Sequence, residues 1–173
     1  MNEFDELCRD LNSADVDQAA RRLADIGDKA AVPELMRIFR FTTNDRLRDA
    51  SVASLGELGA IEALPFVLEL IRDPKTSGRR GSLVYALTYF DCRSHINDLA
   101  FLITDESFEV RQKTLMVLDA IEKPEVPSQL EESLDYINRY RYTNSISDEQ
   151  MMDIDSFIEK LMIWIHSANT STD

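Results

Sequence analysis

Apolar residues recur along this chain at the three- and four-residue spacing that places side chains on one face of a helix. Two neighbouring segments show it most clearly: Val52, Leu55 and Leu58, then Leu64, Val67, Leu68 and Ile71. This spacing predicts two amphipathic helices. Gly59, after the first segment, suits the left-handed residue that ends a helix. Pro65 suits the first turn of the next helix, so the pattern predicts a helical hairpin.

The hairpin pattern repeats with an offset of 32 residues. Leu23-Ala24-Asp25-Ile26-Gly27 aligns with Leu55-Gly56-Glu57-Leu58-Gly59, and Ala31-Val32-Pro33 aligns with Ala63-Leu64-Pro65. A further step of 32 and then one of 31 carry Leu55 onto Leu87 and Leu118. One helix pair cannot bury its apolar face alone, so neighbouring pairs must stack. We therefore predict an all-α protein, an α-α superhelix of about four helical hairpins.

Both ends of the sequence resemble caps on this stack. A short apolar stripe near the N-terminus predicts one capping helix, and the polar run Ser147-Asp148-Glu149-Gln150 predicts a capping box at the start of another. We expect one domain over residues 1–173. Its predicted parts are an N-terminal cap over 1–13, repeats over 14–140, a C-terminal capping helix over 147–167 and a frayed tail over 168–173.

The repeated segments resemble HEAT-like repeats of the phycobilisome-lyase type. The resemblance rests on Leu23-x-x-Ile26-Gly27 with Pro33, on Leu55-x-x-Leu58-Gly59 with Pro65, and on Val110-Arg111 before a helix. It covers roughly residues 14 to 140. The third repeat departs from the pattern, with Asp91 at the glycine position and Asn97 at the proline position. In the fourth, Glu122 takes the glycine position and Pro127 is shifted by one residue.

An arginine recurs at one position of the repeat, as Arg48, Arg80 and Arg111. The resemblance implies that these arginines form a structural ladder, each pairing with an acid or a carbonyl of the adjacent repeat. Asp45 and Asp105 are the expected partners. Only bidentate, partly buried pairs of this kind would contribute much to stability.

The resemblance also implies a concave face lined by the second helix of each hairpin. The candidate partner-binding residues there, outside the core pattern, are Arg37, Arg40, Phe66, Glu69, Arg72 and Phe101. Arginine and aromatic residues at outward positions are typical of binding hot spots. The alternative is that each ring packs on a neighbouring helix.

The formal net charge of −13 is large for 173 residues. Such a field repels nucleic acid and anionic lipid and attracts basic proteins. The charge is concentrated at the two ends, which predicts a second candidate surface near the C-terminus, where acids and tyrosines alternate. Its residues are Glu131, Glu132, Asp135, Tyr136 and Tyr140. The alternative is a solvated face of the capping helices.

No residue pattern predicts catalysis, a metal site or a cofactor. His95 and His166 lack further ligands at metal-binding spacing. Cys92 and His95 could form a nucleophile pair by spacing alone, but no third residue is placed to orient the histidine. We therefore expect a non-enzymatic protein.

The acidic N-terminus has no apolar leader, no segment is long enough to span a membrane, and the cysteines are isolated. These features predict a cytoplasmic protein, monomeric when free, whose partner is a protein with a basic surface rather than nucleic acid or membrane. The most specific hypothesis is an acidic inhibitor or immunity-type protein that neutralises a basic toxin. The alternatives are a phycobilin lyase-like chromophore carrier or enzyme-accessory protein, and a scaffold subunit of a larger assembly.

Overall fold

The computed structural model describes residues 29–170, in which every regular element is a helix. Short 3-10 turns connect several of the α-helices. The α-helices are α1 (Val32–Phe41), α2 (Asp45–Glu57), α3 (Leu64–Arg72), α4 (Gly81–Ala86), α5 (Ile96–Ile103), α6 (Phe108–Asp119), α7 (Ser128–Thr143) and α8 (Asp148–Thr170). The predicted all-α class of stacked helical hairpins is confirmed. The predicted cap over 1–13, the first helix of repeat one and Gly27 lie outside the described residues.

The chain divides into two compact units, residues 1–90 and 91–173. The assignment of the whole chain to one domain stays a prediction. In the first unit, α1 packs on α2, and α4 packs on both α2 and α3. Its fully buried side chains follow the apolar pattern of the sequence: Leu35, Phe39, Val52, Leu55, Val67, Ile71, Leu83 and Leu87. Burying each such side chain stabilises the fold by roughly 1.5–3 kcal/mol.

The turn between α2 and α3 forms as the glycine and proline predict. Gly59 has a φ of 66°, in the left-handed region. The backbone N–H of Ala60 donates to the carbonyl of Leu55 at 2.9 Å, and that of Gly59 donates to Gly56 at 2.9 Å. This pair of bonds is the Schellman motif, which satisfies carbonyls at the end of a helix. Pro65 stands in the first turn of α3, where a missing N–H costs nothing.

In the second unit, α5 packs on α6 and α7, and α8 packs on α5, α6 and α7. A glutamine joins the start of α5 to α7. The Gln129 side chain accepts a hydrogen bond from the backbone N–H of Ile96 at 2.9 Å and donates one to the carbonyl of Ser94 at 2.9 Å. Repeat three has Asn97 where the pattern expects proline. The Gln129 side chain, on α7, therefore satisfies the backbone N–H of Ile96 at the start of α5, which the preceding residue does not cap.

The long C-terminal helix α8 begins as predicted, but only half of the capping box forms. The Ser147 hydroxyl accepts from the backbone N–H of Gln150 at 3.2 Å. The Gln150 side chain instead donates to the Tyr140 hydroxyl at 3.1 Å and to the Thr104 carbonyl at 3.3 Å. It is buried, so it bonds to these tertiary partners rather than to the helix end. α8 continues through Thr170, past the predicted end at residue 167.

Trp164 is buried near the end of α8 and is only 7% exposed. Its indole N–H donates to the carbonyl of Glu122 at 3.1 Å. A buried tryptophan usually finds such a partner for its one polar atom. The ring therefore fastens α8 to the segment that follows α6.

Candidate interaction surfaces

The guanidinium of Arg40 lies against two phenylalanine rings of the first unit. Its central carbon is 4.2 Å from the ring centroid of Phe66 and 5.3 Å from that of Phe41. Phe66 is half-buried, whereas Phe41 is 69% exposed. Each cation–π contact at such a site is worth roughly 0.5–1 kcal/mol. The cluster therefore orients the arginine and leaves one ring open to solvent.

The other residues predicted for the concave face differ in their surroundings. Arg37 makes a bidentate bond to Glu34, at 2.9 and 2.6 Å, and this hydrogen bonding lowers the pKa of Glu34 and raises that of Arg37. Glu69 and Arg72 are exposed on α3. Phe101 is half-buried on α5, in the second unit. Arg40 and Phe66, both in this set, contact each other through the cation–π contact described above.

The predicted acidic surface contains outward acids and inward tyrosines. Glu131, Glu132 and Asp135 are exposed on α7. The Tyr136 hydroxyl lies 3.3 Å from the Thr104 hydroxyl, and Tyr140 accepts from Gln150 as described above. Both tyrosines are half-buried, so they hold α7 to its neighbours. Tyr142, a further tyrosine of this helix, is 92% exposed.

Most acids of α7 and α8 lack a basic partner within residues 29–170. No ion pair reaches Glu131, Asp135, Asp148 or Glu159 from those residues, whereas Asp155 pairs with Arg141 at 3.1 Å. A shallow groove of about 610 Å³ lies on α7 beside these acids, lined by Asp135, Asn138, Arg139, Tyr142 and Thr143. The second unit thus presents a polar, negatively charged surface with one fully exposed tyrosine ring.

Arg48, the first described arginine of the predicted ladder, pairs within its own helix. It is 8% exposed and donates to Asp45 at 2.9 Å and to Asp49 at 2.8 and 3.1 Å. The Asp45 carboxylate also accepts from Arg79, which is itself exposed. Arg80, at the ladder position of the next repeat, is buried. Asp45 therefore joins two arginines that are far apart in sequence.

Arg111 pairs with a different helix and with backbone. It is 2% exposed and donates to the Asp153 carboxylate of α8 at 2.7 Å. It also donates to the carbonyls of Asp105 and Glu106, at 3.1 and 2.9 Å. Asp105 was an expected partner in the ladder, and its carbonyl accepts from Arg111. The second oxygen of Asp153 accepts from Gln112 at 2.7 Å, so the buried acid is well satisfied.

The surroundings of Cys92 do not suit a nucleophile. The thiol is 2% exposed, and burial, with the nearby charges of Asp91 and Asp98, raises its pKa to about 12. An activated cysteine needs the opposite shift, towards thiolate. The His95 ring bonds to Asp98 at 3.3 Å, so a third residue does contact this histidine, contrary to the expectation from the sequence. Within residues 29–170, no group of three or more His, Cys, Asp or Glu side chains is placed to hold a metal ion.

Two tyrosines and a carboxylate form a corner on the first unit that the sequence analysis missed. The rings of Tyr85 and Tyr89 stand at 90°, with centroids 6.0 Å apart. The Tyr89 hydroxyl lies 3.5 Å from the Glu57 carboxylate on α2. Burial, Tyr85 and Glu57 together raise the pKa of Tyr89. The spacing of the tyrosines was visible in the sequence, but their approach to Glu57 depends on how α4 packs on α2.

Comparison with known proteins identifies the repeated segment. Residues 5–88 match the family model of HEAT repeats. This part of the chain is similar to HEAT repeats. The match supports a HEAT-like repeat family for the chain, while the phycobilisome-lyase subtype stays a prediction. No curated protein matches the sequence.

The chain is also similar to a solved structure, the crystal structure of an engineered protein from the Northeast Structural Genomics Consortium. The identity is 14%, the alignment covers 93% of this chain and 99% of that one, and the TM-score is 0.43.

The HEAT-like assignment gives a coarse function. HEAT repeats generally mediate protein–protein interaction, because stacked helix pairs offer extended surfaces for binding. No helix within residues 29–170 is long and apolar enough to cross a membrane.

Proposed function

We propose that this HEAT-like protein is a non-enzymatic interaction module that binds a partner with a basic surface through the exposed acids of α7 and α8. The observation that carries the proposal is that Glu131, Asp135, Asp148 and Glu159 have no basic partner among the described residues, although Arg48 on α2 pairs with two nearby acids. Residues 119–173 hold twelve acidic and only four basic side chains. The acids therefore present an uncompensated field.

A negative field of this kind acts mainly on the rate of encounter. Charges complementary to a basic surface steer diffusion and raise the association rate, and salt screens the effect. An aromatic ring at the contact lowers the dissociation rate, because it buries a large area with few rotatable bonds. Tyr142, 92% exposed beside the acidic groove, is placed to supply that contact.

The more specific proposal is inhibition of a basic toxin, such as a nuclease. A nuclease holds the phosphate backbone with basic side chains around its active site. An acidic surface that binds the same side chains covers that site, so one contact would provide both fast capture and inhibition.

The test compares three forms of the 173-residue chain in capture from the source cell at low and high salt. The variant Glu131→Gln/Glu132→Gln/Asp135→Asn removes three charges from α7 but keeps the side-chain shapes. Gln at 132 retains an oxygen for the hydrogen bond that Glu132 accepts from Asn97 at 2.8 Å. The control Glu62→Gln/Glu106→Gln/Glu122→Gln removes three exposed charges outside α7 and α8.

The proposal predicts that one basic protein is captured by the wild type and by the control, is lost at high salt, and is lost from the α7 variant at any salt. Loss of the captured protein's activity on binding would support the inhibitor proposal, and a stable complex with full activity would support a scaffold instead. Equal capture by all three forms would contradict the acidic-surface proposal. A visible absorbance band in the purified protein would favour the chromophore carrier.

A further inference from the structure

The corner formed by Tyr85, Tyr89 and Glu57 lies in the first unit, outside the acidic surface described above. Tyr85 is 42% exposed and Tyr89 is 37% exposed, and Glu57 is exposed beside them. Two rings at right angles make two walls, because the face of one ring is perpendicular to the face of the other. The carboxylate of Glu57 stands at the edge of this corner, 3.5 Å from the Tyr89 hydroxyl.

Gly56 on α2 allows the Tyr89 ring, one wall of the corner, to pack closely against the helix. A Cβ atom on Gly56 would lie 2.6 Å from the Cβ of Tyr89, a distance that real side chains do not adopt. The absence of a side chain at Gly56 therefore lets Tyr89 sit directly on the helix backbone. Its ring is held next to Glu57, the following residue. The corner is built into the contact between α2 and the segment that ends at Tyr89 rather than formed by two mobile surface rings.

Perpendicular aromatic walls with one carboxylate suit an organic cation. The face of each ring carries partial negative charge, and the attraction for an ammonium group persists in water because the cation keeps part of its hydration on the open side. A guanidinium is flat and stacks well on one ring, whereas a compact alkylammonium group can touch both walls at once. The carboxylate supplies the full charge that balances it.

We propose that Tyr85, Tyr89 and Glu57 form a binding site for an alkylammonium group, namely a lysine side chain of a protein partner, bare or methylated. A lysine is favoured over a free amine because the HEAT-like fold binds proteins and because the site is a shallow, half-exposed corner. Such a corner gives a small ligand little buried area. The remaining affinity would come from the surface that carries the lysine.

The first experiment titrates the 173-residue chain with choline and with 3,3-dimethylbutan-1-ol, its neutral isostere, while following ring and carboxyl NMR signals. The site predicts saturable shifts of the Tyr85, Tyr89 and Glu57 signals with choline in the millimolar range. The isostere has the same shape without the charge, so it should produce no saturable shift. Equal binding of the two compounds, or no binding of choline, would overturn the proposal.

Two variants test the parts of the site without disturbing the packing of Tyr89 on Gly56. Tyr85→Leu keeps an apolar side chain at a half-exposed position but removes one wall, and Glu57→Gln removes the charge. Each should weaken choline binding about fivefold or more. The control Phe108→Leu removes an exposed aromatic ring of the second unit and should leave the titration unchanged. Unchanged binding by Tyr85→Leu would contradict the proposal.

The source of the cation is tested by replacing choline with short peptides that carry one lysine, unmodified, trimethylated or acetylated. The proposal predicts that the trimethylated or unmodified peptide binds the same signals at least as tightly as choline and that the acetylated peptide does not bind. Choline binding without binding of either charged peptide would overturn the assignment to a protein lysine. The proposed function does not depend on this site, since its charge variants lie on α7.

Discussion

Arg48 and Arg111 occupy the same position of the repeat, yet one bonds locally and the other across the fold. Arg48 on α2 donates to Asp45 and Asp49 of its own helix, and these acids are partly exposed. Arg111 on α6 donates to Asp153 of α8, which is 7% exposed, and to two backbone carbonyls. The repeat thus conserves the position of the guanidinium in the fold but not its partner.

The difference shows how one repeat position can serve two purposes. In the first unit the arginine neutralises acids on the same helix, so it removes surface charge. In the second unit it fixes the long helix α8 against α6. Asp153 is committed to Arg111 and Asp155 pairs with Arg141, while Asp148 and Glu159 are exposed with no basic partner among residues 29–170. α8 is thereby held through one buried acid and still carries exposed acids.

The C-terminal ends of α2 and α6 also differ between the two units. α2 ends at Gly59 in the left-handed region, with the paired backbone bonds of a Schellman motif. α6 ends without one: the N–H of Ile121 donates to the carbonyl of Leu118 at 3.1 Å, and no described residue other than glycine has a positive φ. The turn of repeat four therefore needs no glycine, which explains why Glu122 can occupy that position.

Breaking the Arg111 contact should have the largest effect on stability. Asp153→Asn removes the charge that faces a buried guanidinium, and breaking one side of a buried pair costs about 3–5 kcal/mol of unfolding free energy. The matched change Asp49→Asn next to Arg48 should cost less than about 1 kcal/mol, because that acid is partly exposed and Asp45 remains. Chemical denaturation of both variants measures the difference. If both variants lose a similarly small amount of unfolding free energy, the pair of Arg111 and Asp153 does not hold α8 in place.

Gly56→Ala should have the next largest effect. The added methyl group would meet the Cβ of Tyr89 at 2.6 Å, so the ring must move, at about 1–3 kcal/mol for such overpacking. The repeat alignment places exposed Asp119 of α6 at the equivalent position, and Asp119→Ala should change stability by less than about 0.5 kcal/mol. Thermal unfolding reports the cost, and the Tyr89 ring signals report the displacement. A stable Gly56→Ala variant with unchanged Tyr89 ring signals would show that Tyr89 does not pack directly on Gly56.

Gly59→Ala isolates the conformational cost of the left-handed residue. A Cβ there would meet nothing within 4 Å, so no clash contributes. A left-handed conformation costs a non-glycine residue about 1–2 kcal/mol. The equivalent change in the second unit, Glu122→Ala, should be nearly neutral because that turn uses ordinary backbone angles. Equal effects in the two denaturation curves would mean that the two turns end their helices alike.

The local features of the fold could be predicted from the sequence, whereas the features that depend on tertiary contacts could not. Gly59 and Pro65 predicted the turn of repeat two because their backbone chemistry permits few alternatives. The recurring arginine predicted a position, but its partners depend on which helix packs beside it, and Asp153 lies 42 residues beyond Arg111. The Gln129 bond to Ile96 and the tyrosine corner also arise only when distant segments meet. The outward acids of α7 could be predicted because solvated faces follow helical periodicity.

The smallest expected effect concerns a single exposed ion pair, Arg93 with Asp91, and a pH titration measures it. Hydrogen bonds from Arg93 lower the pKa of Asp91 to about 2. Because the folded pKa lies below the unfolded value, the bond stabilises the fold above about pH 4 and is lost as the pH falls through about 2. In the variant Arg93→Gln, the Asp91 carboxyl signal should titrate near its ordinary value instead. An unchanged titration would show that Arg93 does not hold this carboxylate in solution.

The central claim is that the acids of α7 and α8 bind a basic partner, and the rate of association with the captured partner tests it most directly. We predict that Glu131→Gln/Glu132→Gln/Asp135→Asn associates more slowly than the wild type and that its rate depends less on salt. The control with Glu62, Glu106 and Glu122 neutralised should keep most of the wild-type rate and salt dependence. If the two variants associate at the same rates at every ionic strength, the net charge of the whole chain sets the association rate rather than the acids of this surface. The claim would then be wrong.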